Sequence, residues 1–364
     1  MDQETKYWVA LSTHEKIGAR TFQKLLKRYK KISKVWGTNK LALREAGLET
    51  IQIDACMEVV AHADPDKEME KLRKLGIKTF LCTDEKYPKL LKELSDPPGL
   101  LYVRGEILPE DEVALAVVGS RAYTAYGHRI VEEIVYDLAK SGLTIVSGLA
   151  LGIDALAHEA ALEAKGRTIA VLGCGLDQIY PTSNIRIADK ILQGNGAIIS
   201  EFPVGMPALR YNFPIRNRII AGMSLGTLVV EAADASGSLI TAQAAIEYNR
   251  EVFAVPGSIF SETSYGPNHL IQMGAKSVTR AEDVLTELNI ESLIQEKKSQ
   301  IIIPDSQEEK NLLELLKQPK LVDDLIRESK MAPSLVNSTL IMLEMKGMAT
   351  NLGGSLYVIR GKLK

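Results

Sequence analysis

The chain has 364 residues, 46% of them hydrophobic, and 44 Lys and Arg stand against 46 Asp and Glu for a formal net charge of −2. This length and apolar content call for two or three domains with real cores, and the charge excludes a polycation, so any nucleic-acid contact has to come from a local patch. Three scattered cysteines, Cys56, Cys82 and Cys174, form no CxxC pair and read as reduced thiols, not as a zinc or disulfide framework.

The N-terminus is polar and no apolar run approaches the ~20 residues needed to cross a bilayer, which predicts a cytoplasmic protein without membrane contact. Residues 1–85 read as a compact helical domain. Tyr7-Trp8-Val9-Ala10-Leu11 begins an apolar face, and Ile17, Phe22, Leu25 and Leu26 pack around a helix–helix turn at Gly18. This resembles the hairpin of helix–hairpin–helix and SAM-like modules. The basic run Lys24, Lys27, Arg28, Lys30, Lys31 and Lys34 reads either as a solvated helix face or as a weak nucleic-acid contact. A second helix follows Lys40, with Gly47 as its C-cap.

Residues 86–290 alternate strands and helices. Strands are predicted at Ala114–Val118, Gly142–Gly148, Thr168–Gly173, Ala197–Ser200, Thr227–Glu231 and Glu251–Val255. Helices are predicted near 125–141, 153–163, 184–194, 214–222 and 239–249. That order means an α/β fold with a doubly wound, mostly parallel, extended Rossmann-like sheet, whose carboxyl-end loops gather on one edge. Residues 291–308 are polar and read as a linker. Residues 309–364 have the order of a winged helix: helices at 312–316, 321–328 and 334–345, then a β-wing over 347–359 turning at Gly353-Gly354.

The strand-edge loops carry anion-binding chemistry. Gly119 admits a close backbone approach, Ser120 offers a hydroxyl, and Arg121 offers a donor fork for phosphate. Ser147-Gly148, Gly173-Cys174-Gly175, Ser236-Gly237-Ser238 and Pro256-Gly257-Ser258 end on the same edge. Arg210 and Phe213 pair a cation with an aromatic ring that can stack on a base. With a helix opening at Pro214, Arg216, Asn217 and Arg218 fall in its first turn, where cations make sense if an anion is expected. Asp154 and His158, one helical turn apart, read as a helix-start charge and a satisfied core histidine. Glu231 reads either as a ribose ligand or as a partner of Arg216 or Arg218. There is no GxGxxG and no GxxxxGK phosphate loop, so no nucleotide cofactor and no metal are expected.

Four ordered stretches carry a specific likeness: Val117–Arg121, Ile145–Ala155, Phe213–Gly222 and Ser236–Thr241. Together they resemble the DprA (Smf) family of DNA-processing proteins over about residues 90–290. The resemblance implies a non-catalytic binder of single-stranded DNA that protects incoming strands and loads RecA in natural transformation. It implies a DNA pocket of Gly119, Ser120, Arg121, Gly148, Arg210, Phe213, Arg216, Asn217 and Arg218, joined by Ser236, Gly237 and Ser238. Family members often carry lysine where this chain has Arg210 or Thr182; Arg210 keeps the charge, Thr182 does not, and Arg186 is the nearby substitute. The resemblance also implies a homodimer through Asn268, His269, Leu270 and Ser277, and RecA contacts near the helix starting at Thr241.

The helix at 334–345 holds no basic residue before Lys346, which favours a protein–protein or regulatory role for the winged helix over duplex reading. The competing reading is a nucleotide phosphoribohydrolase of the lysine-decarboxylase-like Rossmann group. Those enzymes carry a PGGxGTxxE loop; the nearest stretch here, Met223 to Glu231, lacks the paired glycines and displaces the glutamate by one position.

Overall fold

In a computed structural model, the structure describes all residues except 1, 2, 195, 291–300, 303, 347, 352, 360, 361 and 364. The chain forms two compact units, 1–288 and 289–364. The first part of the expected linker (291–300, and 303) and the first residue of the expected wing lie outside the described residues.

The first unit opens with helices α1 (Thr5–Ser12), α2 (Ala19–Tyr29), α3 (Lys40–Glu45), α4 (Thr50–His62) and α5 (Pro65–Lys74). Trp8 and Phe22 stack at 4.8 Å across the first two. Gly47 follows α3 at φ +84°, a conformation that suits glycine and no branched residue. Gly18 does not need to be glycine: its backbone is extended (φ −107°) and open space surrounds the position of a Cβ. The basic run is largely solvated, and Arg28 meets Glu45 at 3.5 Å.

The sheet then builds from β1 (Lys78–Leu81), β2 (Leu100–Gly105), β3 (Ala114–Val118), β4 (Thr144–Ser147), β5 (Thr168–Val171), β6 (Ala197–Ser200), β7 (Gly226–Val229), β8 (Glu251–Ala254) and β9 (Lys276–Ser277). Their spatial order is β1-β2-β6-β5-β4-β3-β7-β8-β9. The β1–β2 and β2–β6 pairs are antiparallel, and the pairs from β6 to β9 are parallel. The expected doubly wound sheet is therefore present, with an antiparallel edge that the periodicity did not reveal. β1 lies inside the stretch read as purely helical, and β9 is too short to leave a pattern.

The helices between strands are α6 (Lys89–Lys92), α7 (Ala125–Ile130), α8 (Tyr136–Lys140), α9 (Ile153–Glu163), α10 (Ile185–Gln193), α11 (Asn212–Gly222), α12 (Gly237–Glu247) and α13 (Tyr265–Gln272), and α14 (Ala281–Glu287) follows β9. A π-helical turn over Val131–Val135 joins α7 to α8, so the helix predicted at 125–141 runs on with a bulge in its middle. All five residues of β3 are buried, as a central parallel strand covered on both faces requires.

One core contains Trp8, Phe22, Leu25 and Cys56 together with Leu100, Tyr102, Leu172 and Ile198. The Ser12 hydroxyl meets the Tyr102 hydroxyl at 2.5 Å inside it. The helices before β1 and the sheet thus bury their apolar faces against each other, and the unit does not divide near residue 85. No described helix is long and apolar enough to cross a membrane.

The second unit has helices Gln307–Leu315, Val322–Ser329 and Pro333–Met345 around Leu312, Leu325, Leu340 and Leu343. Strands Ala349–Asn351 and Leu356–Ile359 pair antiparallel, and the turn between them includes Gly353 at φ +102° and Gly354 at φ +60°. This is the predicted wing.

Candidate nucleic-acid interface

The sheet order reverses at β3, whose neighbours β4 and β7 continue in opposite directions, and loops leaving these strands open a crevice at their carboxyl ends. A cleft of about 540 Å³ lies there, lined among others by Ser120, Arg121, Phe213, Arg216, Asn217 and Gly237. A lobe of about 50 Å³ is lined by Gly148, Gly173, Tyr180 and Pro181, and shares Arg121, Phe213 and Arg216 with the cleft.

Arg121 is exposed, and its guanidinium carbon stands 5.9 Å from the Phe213 ring centre. Among the described residues it has no acidic partner, so its donors remain available to an anion. Gly119 lets β3 exit tightly against α9, since a Cβ there would meet Ile153 Cγ1 at 2.7 Å. Ser120 Oγ is used within the loop: it donates to Ala122 O at 3.0 Å and accepts from Ala122 N.

Phe213 is half-buried, not freely exposed. Its ring lies 5.8 Å from that of Tyr180 with 27° between the planes. Ser236 caps α12, its hydroxyl meeting Ser238 N at 3.4 Å and the Ser238 hydroxyl at 2.7 Å. Gly237 is exposed and its carbonyl accepts from Asn217 Nδ2 at 3.2 Å. Arg210 is exposed, but it lines neither the cleft nor the lobe.

Two arginines do not behave as predicted. The helix expected to open at Pro214 opens at Asn212, which moves Arg216 and Arg218 past the first turn and removes the dipole argument for an anion beside them. Arg216 is only 5% exposed. Its Nη1 donates to Gly148 O at 2.6 Å and to Val171 O, and Nε donates to Asn217 Oδ1. It ties the ends of β4 and β5 together and serves the cleft mainly as a buried positive wall. Arg218 turns away altogether: it donates to Asp96 O and pairs with Glu201 beside a separate cleft of about 480 Å³.

Asp154 accepts from Gly148 N at 3.1 Å. Burial pushes its carboxyl up from the usual range against the pull of Arg216, and burial pushes the Arg216 guanidinium down with Asp154 opposing. His158 is a core residue, its Nδ1 2.6 Å from the Thr168 hydroxyl. Burial, aided by Arg216, pushes its imidazole down to about 3.

Glu231 fits neither predicted role. Its carboxylate accepts from the Thr124 backbone and hydroxyl at 2.9 and 2.6 Å and from the Thr263 hydroxyl at 3.1 Å, so it braces the start of α7. Glu231, one position away from where the PGGxGTxxE loop would place its glutamate, is thus engaged by Thr124 and Thr263. Among the described residues, no group of His, Cys, Asp and Glu side chains could hold a metal ion. The three cysteines are free thiols.

At the expected dimer surface, His269 is exposed and Ser277 partly so. Leu270 packs into the core, and Asn268 bonds the Gly257 backbone at 3.0 and 3.1 Å. Sequence reasoning missed Ile259 and Phe260 nearby, the latter 92% exposed. It also missed Tyr180, whose signal was its place in a strand-exit loop.

Residues 78–289 match the family DNA recombination-mediator protein A, and residues 296–355 match the DprA winged helix domain. The chain is 32% identical to the Smf protein of Synechocystis over 98% of this chain and 99% of that protein. It is 52% identical to the Smf protein of Escherichia coli, over 56% of this chain and 54% of the relative. The structure of DNA processing protein A from Streptococcus pneumoniae superposes with a TM-score of 0.68 at 39% identity, covering 78% of this chain and 97% of that one. That of the Helicobacter pylori protein, solved to describe its single-stranded DNA binding mode, gives a TM-score of 0.53 at 33% identity over 59% and 96%.

Proposed function

Since the chain belongs to the DprA/Smf family of DNA-processing proteins, we propose that it binds single-stranded DNA in the cleft at the carboxyl edge of the sheet. It holds the strand without catalysing a reaction, protects incoming DNA in the cytoplasm and loads the RecA recombinase during transformation or recombination. The observation that carries this reading is Arg121, solvent-facing and 5.9 Å from the Phe213 ring. One cation for a phosphate beside one aromatic group for a base is the pairing that sequence-tolerant single-strand binding uses. The single-stranded DNA binding of the Helicobacter pylori relative supports it. Glu231 counts against the hydrolase alternative, because both carboxylate oxygens are engaged by Thr124 and Thr263.

Residues 86–290 carry the DNA site in this reading, and two copies joined near His269 and Ser277 extend it into a longer groove, raising affinity through effective concentration. The exposed Ile259 and Phe260 support a self-association surface there. Ile240 and Ile246, exposed on α12, support RecA docking along that helix. In the winged helix, exposed Ile341, Met342 and Met345 support a protein partner in preference to duplex DNA.

Titration of single- and double-stranded oligonucleotides at two salt concentrations, with AMP hydrolysis assayed in parallel, tests the reading. Tighter, salt-dependent binding of the single strand without AMP turnover is expected. Absence of single-strand binding, or AMP turnover, overturns it.

A further inference from the structure

We propose that Tyr180 is a second stacking platform, seating a nucleobase next to the one held at Phe213; this rests on the single-stranded DNA reading above. Much of the Phe213 ring is committed within the protein. It packs so closely on the β5 exit that a Cβ on Gly173 would stand 3.0 Å from Cδ1. Arg121 and Arg216 each flank it at 5.9 Å. Tyr180 continues the stack at 5.8 Å and remains 49% exposed. Both rings line the lobe, and Tyr180 is the more exposed of the two.

The loop that carries the ring is also tied down. Tyr180 leads into the Thr182–Asn184 turn, and Asn184 Nδ2 donates to Leu149 O at 2.9 Å and Ala150 O at 3.2 Å. This ties the Tyr180 loop to the exit of β4, the same exit that Arg216 holds from the other side. A ring carried on a loop positioned before binding costs less ordering when a base settles on it. Among the described residues its hydroxyl makes no hydrogen bond, so no internal polar contact accounts for its placement. Every base presents a π-face, so such a platform adds affinity without sequence preference.

The test uses the full chain and a short oligothymidine, with Tyr180→Ala, Tyr180→Phe and Arg121→Ala compared at several salt concentrations. A 5-iodouracil oligonucleotide is cross-linked to the wild-type protein and mapped by mass spectrometry. Stacking predicts that Tyr180→Ala weakens binding roughly 5- to 150-fold with an unchanged salt slope. Tyr180→Phe should bind like wild type, and a cross-link should fall on Tyr180. Wild-type affinity in Tyr180→Ala, or cross-links confined to Phe213, overturns the proposal; the second result would mean that Tyr180 only props Phe213. If wild type binds and Arg121→Ala weakens it while Tyr180→Ala does not, this inference alone fails. If wild type does not bind the single strand, the functional reading fails and takes this inference with it.

Discussion

Arg216 Nη1 donates to the carbonyl of Gly148 at 2.6 Å, and a Cβ added to Gly148 would stand 2.5 Å from the same nitrogen. The glycine and the arginine therefore define each other: the absent side chain is the space that the guanidinium fills. Asp154 completes the arrangement by accepting from the Gly148 N–H, so that both backbone polar groups of Gly148 are bonded by buried side chains.

Arg216→Met is expected to cost stability before it costs affinity. It leaves the carbonyls of Gly148 and Val171 unbonded in the interior, each at a cost of about 1–3 kcal/mol. Urea unfolding checks this; a variant that unfolds like wild type would show that Arg216 is not structural. Gly148→Ala should be destabilised as well, by displacing the guanidinium.

Arg121→Ala should weaken single-strand binding with little change in the unfolding midpoint, because the side chain is exposed and makes no ion pair. Removing one phosphate-neutralising cation flattens the log–log salt dependence by ~0.7. Fluorescence anisotropy across a salt series measures it, and an unchanged slope would remove Arg121 from the interface.

Phe213→Ala should cost ~1–3 kcal/mol of binding from lost stacking. Since the ring is half-buried, a drop in stability should accompany it. Phe213→Leu separates the two effects: packing is largely kept while stacking is removed. Full affinity in the leucine variant would show that the ring only fills space.

His158 makes stability depend on pH. Its imidazole falls from 6.5 to about 3 in the folded protein because burial disfavours the charged form. Below pH 6.5 the unfolded chain binds the proton more readily than the folded one, so stability declines by up to ~1.4 kcal/mol per pH unit until about pH 3. Asp154, raised by burial above 3.8, acts in the opposite direction. The contribution of His158 is thus read from the difference between wild type and His158→Gln in urea unfolding at pH 7, 5.5 and 4.5 (roughly spanning that window). The variant should lose about one proton of pH dependence.

Arg218 and Glu201 form a largely buried pair away from the cleft. Burial raises the Glu201 carboxyl, and Arg218 opposes that rise. Arg218→Met alone should cost ~3–5 kcal/mol, and adding Glu201→Leu should recover much of it. Neither change should alter the salt slope of DNA binding; a flattened slope would return Arg218 to the interface.

Much of this was written in the chain's periodicity. The apolar run Ala114–Val118 ending in Gly-Ser-Arg placed a central strand and the tight loop at its exit, and Gly353-Gly354 placed the turn of the wing. Short or polar edge elements were not legible: β1 begins with Lys78-Thr79 and β9 is two residues long, so neither leaves a signal of period two.

The sequence by itself determined the central strands, on which edge of the sheet their loops collect, and that Arg121 and Phe213 stand at that edge, because alternation and glycine placement act over a few residues. Only the tertiary structure decided which cations remain available. Arg121, Arg216 and Arg218 look equivalent in the chain, yet one faces solvent, one bonds strand-end carbonyls and one pairs with Glu201. The difference depends on carbonyls and carboxylates brought close from distant segments, since a buried guanidinium must satisfy its donors wherever the fold places it.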